Sequence, residues 1–368
     1  DYTLLGGKLS GTLEAYWNTT KDLLILFPTS GTGYDNQYRN MGETENKGFE
    51  ASVNWIAIDK KNFGLSFGAN ISFNKNKIKS LGSLKTMSND LTQSYWASSE
   101  IGQDYWIEVG GSVGKMYGYV SDGRYEVSDF ERYDEVTETW ILRDGVSSSS
   151  AVGTARPGMM KLKDLDNSGD ANGSDDKRVI GDANPLHTGG FNINARLYGF
   201  DLTANFNWSY GNDIYNANKI EYTSTSKYLY RNLTSDMAGG KRWNNVDAAG
   251  NLVTNMAQLA EMNQNTTMWS PYTDKYIFSD WAVEDGSFLR LNTLTLGYTM
   301  PTTLVKKVGI NNLRFYVTAY NVFCLTSYSG YDPEVSTSRR NGSNLTPGVD
   351  YSAYPKSRQF VVGLNLNF

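Results

Sequence analysis

Cysteine and histidine are nearly missing from this chain: Cys324 is the only cysteine and His187 the only histidine. A single thiol cannot close an intrachain disulfide, and thiolate metal clusters and histidine-dependent catalysis both lack their usual residues. Positive charge is not in excess either. A net charge of -5 offers no basic patch for nucleic acid. Long apolar runs are also missing. The longest, from Leu23 to Phe27, is far short of the roughly 20 residues that a helical membrane span needs. The chain opens at Asp1 with neither an initiator Met nor a charged and apolar export signal, so it reads as a fragment or a processed portion.

What the chain does have is alternation. In its last strand Phe360, Val362, Leu364, Leu366 and Phe368 are apolar at period two, while Gln359, Gly363, Asn365 and Asn367 between them are small or polar. Phe200, Leu202, Ala204, Phe206, Trp208 and Tyr210 repeat the design, and so do Phe191, Ile193, Ala195 and Leu197, the two runs meeting at Gly199 in a tight hairpin. Further copies begin at Leu9, Phe49, Phe63 and Leu313. Between Phe288 and Tyr298 the phase slips, with Leu289 and Leu291 on one face and Leu294 and Leu296 on the other, which predicts a bulge. A strand with one greasy and one wet face suits a soluble sandwich or a membrane barrel. The recurrence, and an aromatic content of 13% in a chain only 39% hydrophobic, favour the barrel, with lipid-facing rows, interface girdles and polar loops.

The expected fold is therefore all-β: a transmembrane antiparallel β-barrel with long extracellular loops. Short links around Lys60, Gly110, Gly199 and Pro301 to Gly309 would lie on the periplasmic side. Segments 20–45, 78–103, 121–187, 212–285 and 325–356 would lie outside, giving about ten strands. Asn194, Arg196, Asn205, Asn207 and Asn367 would face a polar lumen.

Several blocks carry a family resemblance. TKDLLILFPTSGTGYDNQYRNMGETENKGFE, from Thr20 to Glu50, is followed by VGGSVGKMYGYVSDGRYE, KDLDNSGD with RVIGDANP, VEDGSFLRLNTLTLGYTMP and LRFYVTAYNVFCLTSYSGYDPE. In this order they resemble the SusC/RagA-like TonB-dependent transporters of the Bacteroidetes outer membrane. The resemblance implies that residues 1–368 are the C-terminal part of one 22-stranded barrel domain, whose plug domain and first strands are absent from the sequence. It also implies a SusD-like lipoprotein lid, TonB acting through the missing N-terminal part, and a possible dimer of transporter and lid pairs.

Two sets of side chains are candidates for binding. Asp164, Asp166, Ser168, Gly169, Asp170, Asn172 and Asp175 have the spacing of an EF-hand-like loop, which would wrap hard oxygens around a structural calcium ion; Asp175 is a shorter arm than the usual Glu. The competing reading is an acidic, solvated turn. Trp96, Trp140, Trp269 and Trp281 lie in the expected outside loops, where flat faces could stack on sugar rings or peptide side chains; as girdle residues they would instead sit at the membrane interface. Asp175 to Arg178 reads as a solvated charged turn. The Gly-rich VGGSVG lacks the ending of a phosphate loop, and no hydrolase constellation is present.

The function expected is TonB-dependent import of a nutrient, an oligosaccharide or a peptide, across the outer membrane, and not an enzymatic one. The alternatives are a porin or lid-free TonB receptor, and a soluble β-rich glycan-binding module.

Overall fold

Period-two alternation folds here into long antiparallel strands. The computed structural model describes residues 1–368 apart from 30, 32, 35, 89, 226–229, 274 and 338–343. Nine strands form one sheet in simple sequence order. They are β1 (Tyr2–Leu4), β2 (Leu9–Pro28), β3 (Asn36–Lys60), β4 (Phe63–Leu81), β5 (His187–Leu197), β6 (Phe200–Tyr210), β7 (Phe288–Thr299), β8 (Asn312–Thr326) and β9 (Gln359–Asn367). Every neighbouring pair is antiparallel. Links at one end are short. Between β5 and β6 it is Tyr198 and Gly199 alone, both left-handed with φ of 46° and 90°, the geometry that matches strand twist in a two-residue hairpin.

Register carries the alternation across the whole wall. Leu9, Trp55, Phe67, Ile193, Ala204, Leu294, Ala319 and Phe360 are successive cross-strand partners, an apolar row eight strands wide. One residue further along each strand lies the polar row Ser10, Asn54, Gly68, Asn192, Asn205, Thr293, Tyr320 and Gln359. A slip of one residue would exchange the two faces, so the register is strongly specified. The phase slip read in the sequence is a bulge: between the pairs Leu291↔Phe323 and Thr293↔Tyr320, Asn292 faces Asn321 and Val322. That bulge returns Leu289, Leu291, Leu294 and Leu296 to one face.

The apolar face is uncovered. Leu13 is 61% exposed, Phe360 71% and Val362 79%, values foreign to the core side of a sandwich and natural for a surface solvated by lipid. The buried core lies elsewhere, in the connections at the other end from the short turns. Tyr105, Met116, Tyr125, Phe130, Leu162, Tyr215 and Leu259 are all at most 1% exposed and belong to residues 82–186 and 211–287. Small sheets brace this cap, including one of four strands, Lys177–Asp182, Lys115–Tyr119, Tyr105–Glu108 and Thr86–Met87. Burying each large side chain there stabilises by about 1.5–3 kcal/mol.

Two sequence expectations need correction. Among the described residues the wall has nine strands, where about ten were expected. The stretches flanking Gly110 do not cross it, and all of 82–186 is one connection between β4 and β5. Strands Tyr105–Glu108 and Lys115–Tyr119 are too short to cross a bilayer, and the Gly110–Gly111 turn instead folds back on β4, where Gly110 N–H donates to Ile78 O and Ile78 N–H to Gly111 O, each at 2.8 Å. The segment 20–45 is also mostly strand, because β2 and β3 stay paired from Leu9↔Trp55 to Pro28↔Asn36.

Candidate functional site

The polar face and the cap above it form one continuous surface. All five residues expected on the wet side, Asn194, Arg196, Asn205, Asn207 and Asn367, fall on the polar face by register. Part of that face is a lattice of short contacts. Asn194 donates to Asn192 at 2.9 Å, Thr203 donates to Asn194 at 3.0 Å, and Arg314 reaches both carboxylate oxygens of Asp201 at 3.0 and 2.5 Å. Tyrosines lie flat over facing glycines. A β-carbon at Gly363 would stand 2.1 Å from Cζ of Tyr316, so only glycine permits that ring position.

Higher on the same face, a long connection is tied down. Arg290 of β7, 2% exposed at its side chain, donates to Asp332 at 2.6 Å and to Asn321 at 2.6 Å, and its Nε lies 3.0 Å from Glu334. Lys356 meets the same Glu334 at 2.5 Å. The segment after β8 thus folds inward over the polar face. Nearby, Tyr328 donates to Asp350 at 2.6 Å, and Glu284 accepts from the backbone and hydroxyl of Ser329 at 2.9 and 2.8 Å. Burial alone would raise the Glu284 carboxyl, but the Ser329 hydrogen bonds and Lys219 hold it below its usual value. Sequence reading missed the Arg290 network. The signal was an Arg between two leucines in a wall strand, which places a cation on the polar face, with YDPE some 40 residues on.

The four tryptophans do not form one platform. Trp96 is 2% exposed, donates to Tyr215 Oη at 2.6 Å and is enclosed by the rings of Tyr276 and Tyr351. Trp140 is buried edge-on against Phe130 and Tyr133. Trp269, also buried, meets Trp281 at 4.5 Å, and Lys219 sits 4.3 Å over the Trp281 ring. Trp96, Trp140 and Trp269 therefore build the cap's cores in this conformation and leave Trp281, half-buried, as the one of the four with surface to offer.

The acidic loop gathers three carboxylates. Asp164, Asp166 and Asp176 bring one oxygen each to within 4.8 Å of one another. Asp164 accepts from Gly169 N–H at 2.7 Å and Ser147 Oγ at 2.9 Å, and Asp166 from Ser168 N–H at 2.9 Å, in a turn with Asn167 and Gly169 left-handed. Asp176, 1% exposed, is held under the loop by Leu165 and Asn172 N–H groups, each at 2.7 Å. Asp175, expected at the closing position, is exposed and outside the group. Asp170 turns instead to Ser148 and Ser150, and although burial opposes it, their hydrogen bonds lower its carboxyl to about 2. Three converging hard oxygens suit a hard cation such as calcium.

A membrane-type β-barrel wall with a folded cap at its mouth is the class of protein that this geometry defines. Residues 2–152 match the family described as TonB dependent receptor-like, beta-barrel. Over its full length the chain is 31% identical to "TonB-dependent receptor P3" of Formosa agariphila, covering 33% of that protein. It is 26% identical to "TonB-dependent receptor SusC" of Bacteroides thetaiotaomicron, again over its full length and covering 31% of that protein. The chain thus spans about a third of the length of these curated relatives. In fold it superposes on the RagAB peptide importer in the closed-closed state with a TM-score of 0.70, at 21% identity, with all of this chain and 34% of that one covered. Residues 2–152 thus carry a TonB-dependent receptor-like β-barrel segment, and the whole chain is similar in sequence to TonB-dependent receptors, SusC among them, and in fold to the RagAB importer.

Proposed function

We propose that this chain forms part of the wall and mouth of an outer-membrane importer that takes up an oligosaccharide or a peptide. The observation that carries the reading is the two-faced wall: apolar rows uncovered on one side, a hydrogen-bonded polar face on the other, and a folded cap over the mouth. Similarity in fold to the RagAB peptide importer supports a peptide substrate, and similarity to TonB-dependent receptors such as SusC supports the membrane. The open sheet of nine strands would close with strands supplied by the rest of a longer protein, residues 1–368 belonging to one barrel domain.

Import would be energised by TonB acting on a plug within that barrel, and a SusD-like surface lipoprotein would cover the mouth. Substrate would meet the polar face, the connection fastened by Arg290 and the exposed part of Trp281, so the role is transport and not catalysis. A calcium ion held by Asp164, Asp166 and Asp176 would brace the cap. Extraction of native outer membranes in mild detergent, with mass spectrometry of what copurifies, tests the whole reading. A stoichiometric lipoprotein together with plug peptides supports it; recovery of the chain in the soluble fraction without a partner sinks it.

A further inference from the structure

Near the cap, the lipid-facing side of the wall changes character within one residue pair. Phe49 and Phe73 face each other across β3 and β4, and the next pair on that face is Lys47↔Lys75, followed by Glu45↔Lys77. Two lysines directly opposite repel one another, so the arrangement costs stability unless an anion lies between them. Glu45 does not relieve the whole cluster. It is engaged by Lys47 at 3.0 Å, by Lys79 at 3.9 Å and by the Trp17 indole at 2.7 Å, while Lys75 and Lys77 are exposed and have no ion-pair partner among the described residues. The Lys47 ammonium also lies 3.9 Å over the Trp17 ring, which fixes it at the aromatic girdle.

Beside these lysines the wall parts. Pairing of β4 with β5 begins only at Ser72↔Thr188, and the edge of β4 beyond Phe73 borders a crevice of about 580 Å³. Its strand lining comes from both faces, Phe49, Phe73, Lys47, Lys75 and Lys77 from the lipid side and Gly48, Asn74 and Asn76 from the polar side, with Lys115 added from the cap. Lys115 is paired with Asp182 at 2.7 Å, so the crevice carries more cations than carboxylates even after its internal pairs are counted.

We infer that this crevice binds the phosphorylated headgroup of a membrane glycolipid, with Lys75 and Lys77 as the principal phosphate ligands. Phe49 and Phe73 are continuous with the rows that face acyl chains, and the cations stand at the height where headgroups begin, at the end of the wall that bears the long connections. A free anion would need no such apolar lining. The site rests on the membrane-barrel reading, but it fails separately from it.

The test uses the full-length protein in phosphatidylcholine nanodiscs, with retention of phosphorylated lipid A and of its dephosphorylated form read by native mass spectrometry. Expected is preferential retention of the phosphorylated lipid, weakened roughly 10- to 30-fold in Lys75→Gln/Lys77→Gln and unchanged in Lys60→Gln/Lys61→Gln at the opposite end of the wall. The single variants Lys75→Gln and Lys77→Gln should each give a partial loss, which keeps the test open if the double variant does not fold. Equal retention of both lipids, or by wild type and variants alike, overturns the site while leaving the barrel intact. Full competition by inorganic phosphate also overturns it, because the ligand is then a free anion.

Discussion

Arg290 and Asp332 lie 2.6 Å apart, one on a wall strand and the other in the connection that follows the next strand, with side chains 2% and 8% exposed. This contact sets the path of the chain over the polar face. Arg290→Met leaves the Asp332 carboxylate buried without its counter-ion, and removing one partner of such a pair costs about 3–5 kcal/mol. The variant should lose thermal stability, seen as a lower temperature of the folded-to-unfolded mobility shift on gels. Arg290→Met/Asp332→Asn should recover part of it; an unchanged transition in the single variant contradicts the fastening role.

Stability of the cap should also depend on pH. Burial raises the Asp104 carboxyl to about 7, against hydrogen bonds from the Ser94 hydroxyl and N–H at opposite oxygens. The folded state therefore binds a proton more tightly than the unfolded chain. Its contribution is complete below the unfolded value near 4, declines as pH rises, and is lost by the time pH passes about 7. The full shift corresponds to no more than about 4 kcal/mol. Denaturation of the cap measured between pH 5 and 8 should show this decline, and Asp104→Asn should flatten it.

Calcium, if it braces the acidic loop, depends on Asp176 and not on Asp175. Asp176→Asn should abolish protection of the 160–180 region from proteolysis by added calcium, whereas Asp175→Asn should keep it. Protection that is insensitive to chelator in the native protein would remove the ion from the account.

The two faces of the wall should answer differently to charge. Val317, 46% exposed in an apolar row, should cost about 2–4 kcal/mol when changed to Arg if it sits near the bilayer midplane. Asn205→Arg on the polar face should cost far less. Yields of folded protein in outer membranes compare the two, and equal yields would point to a soluble sheet.

The wall was legible because alternation is local: Phe200 to Tyr210 reads the same in sequence and in structure, and even the bulge at Asn292 showed as a slip of phase. Strand count was harder. Tyr105–Glu108 and Lys115–Tyr119 flank glycines as wall strands would, and only their shortness and their pairing within the cap set them apart. The candidate site was less legible still. Whether Trp96 offers a face or fills a core depends on Tyr215, Tyr276 and Tyr351, which are up to 255 residues away, from 96 to 351, and no periodicity links them. Asp175 and Asp176 are adjacent acids, and which one turns inward is decided by the N–H groups of Leu165 and Asn172.

The cores of this protein lie in its connections while its wall wears its apolar side chains outward, and that inversion orders its biogenesis. The wall can reach its final state only in lipid, but the cap, with Tyr105, Tyr125 and Phe130 sealed from solvent, can do so only in water. On the proposed importer reading, the stretch 82–186, which lies between two wall strands, would cross to the outer surface before its core closes. Closing of the mouth would then follow its crossing, and a sequence change that let the cap collapse early would hinder assembly of the wall.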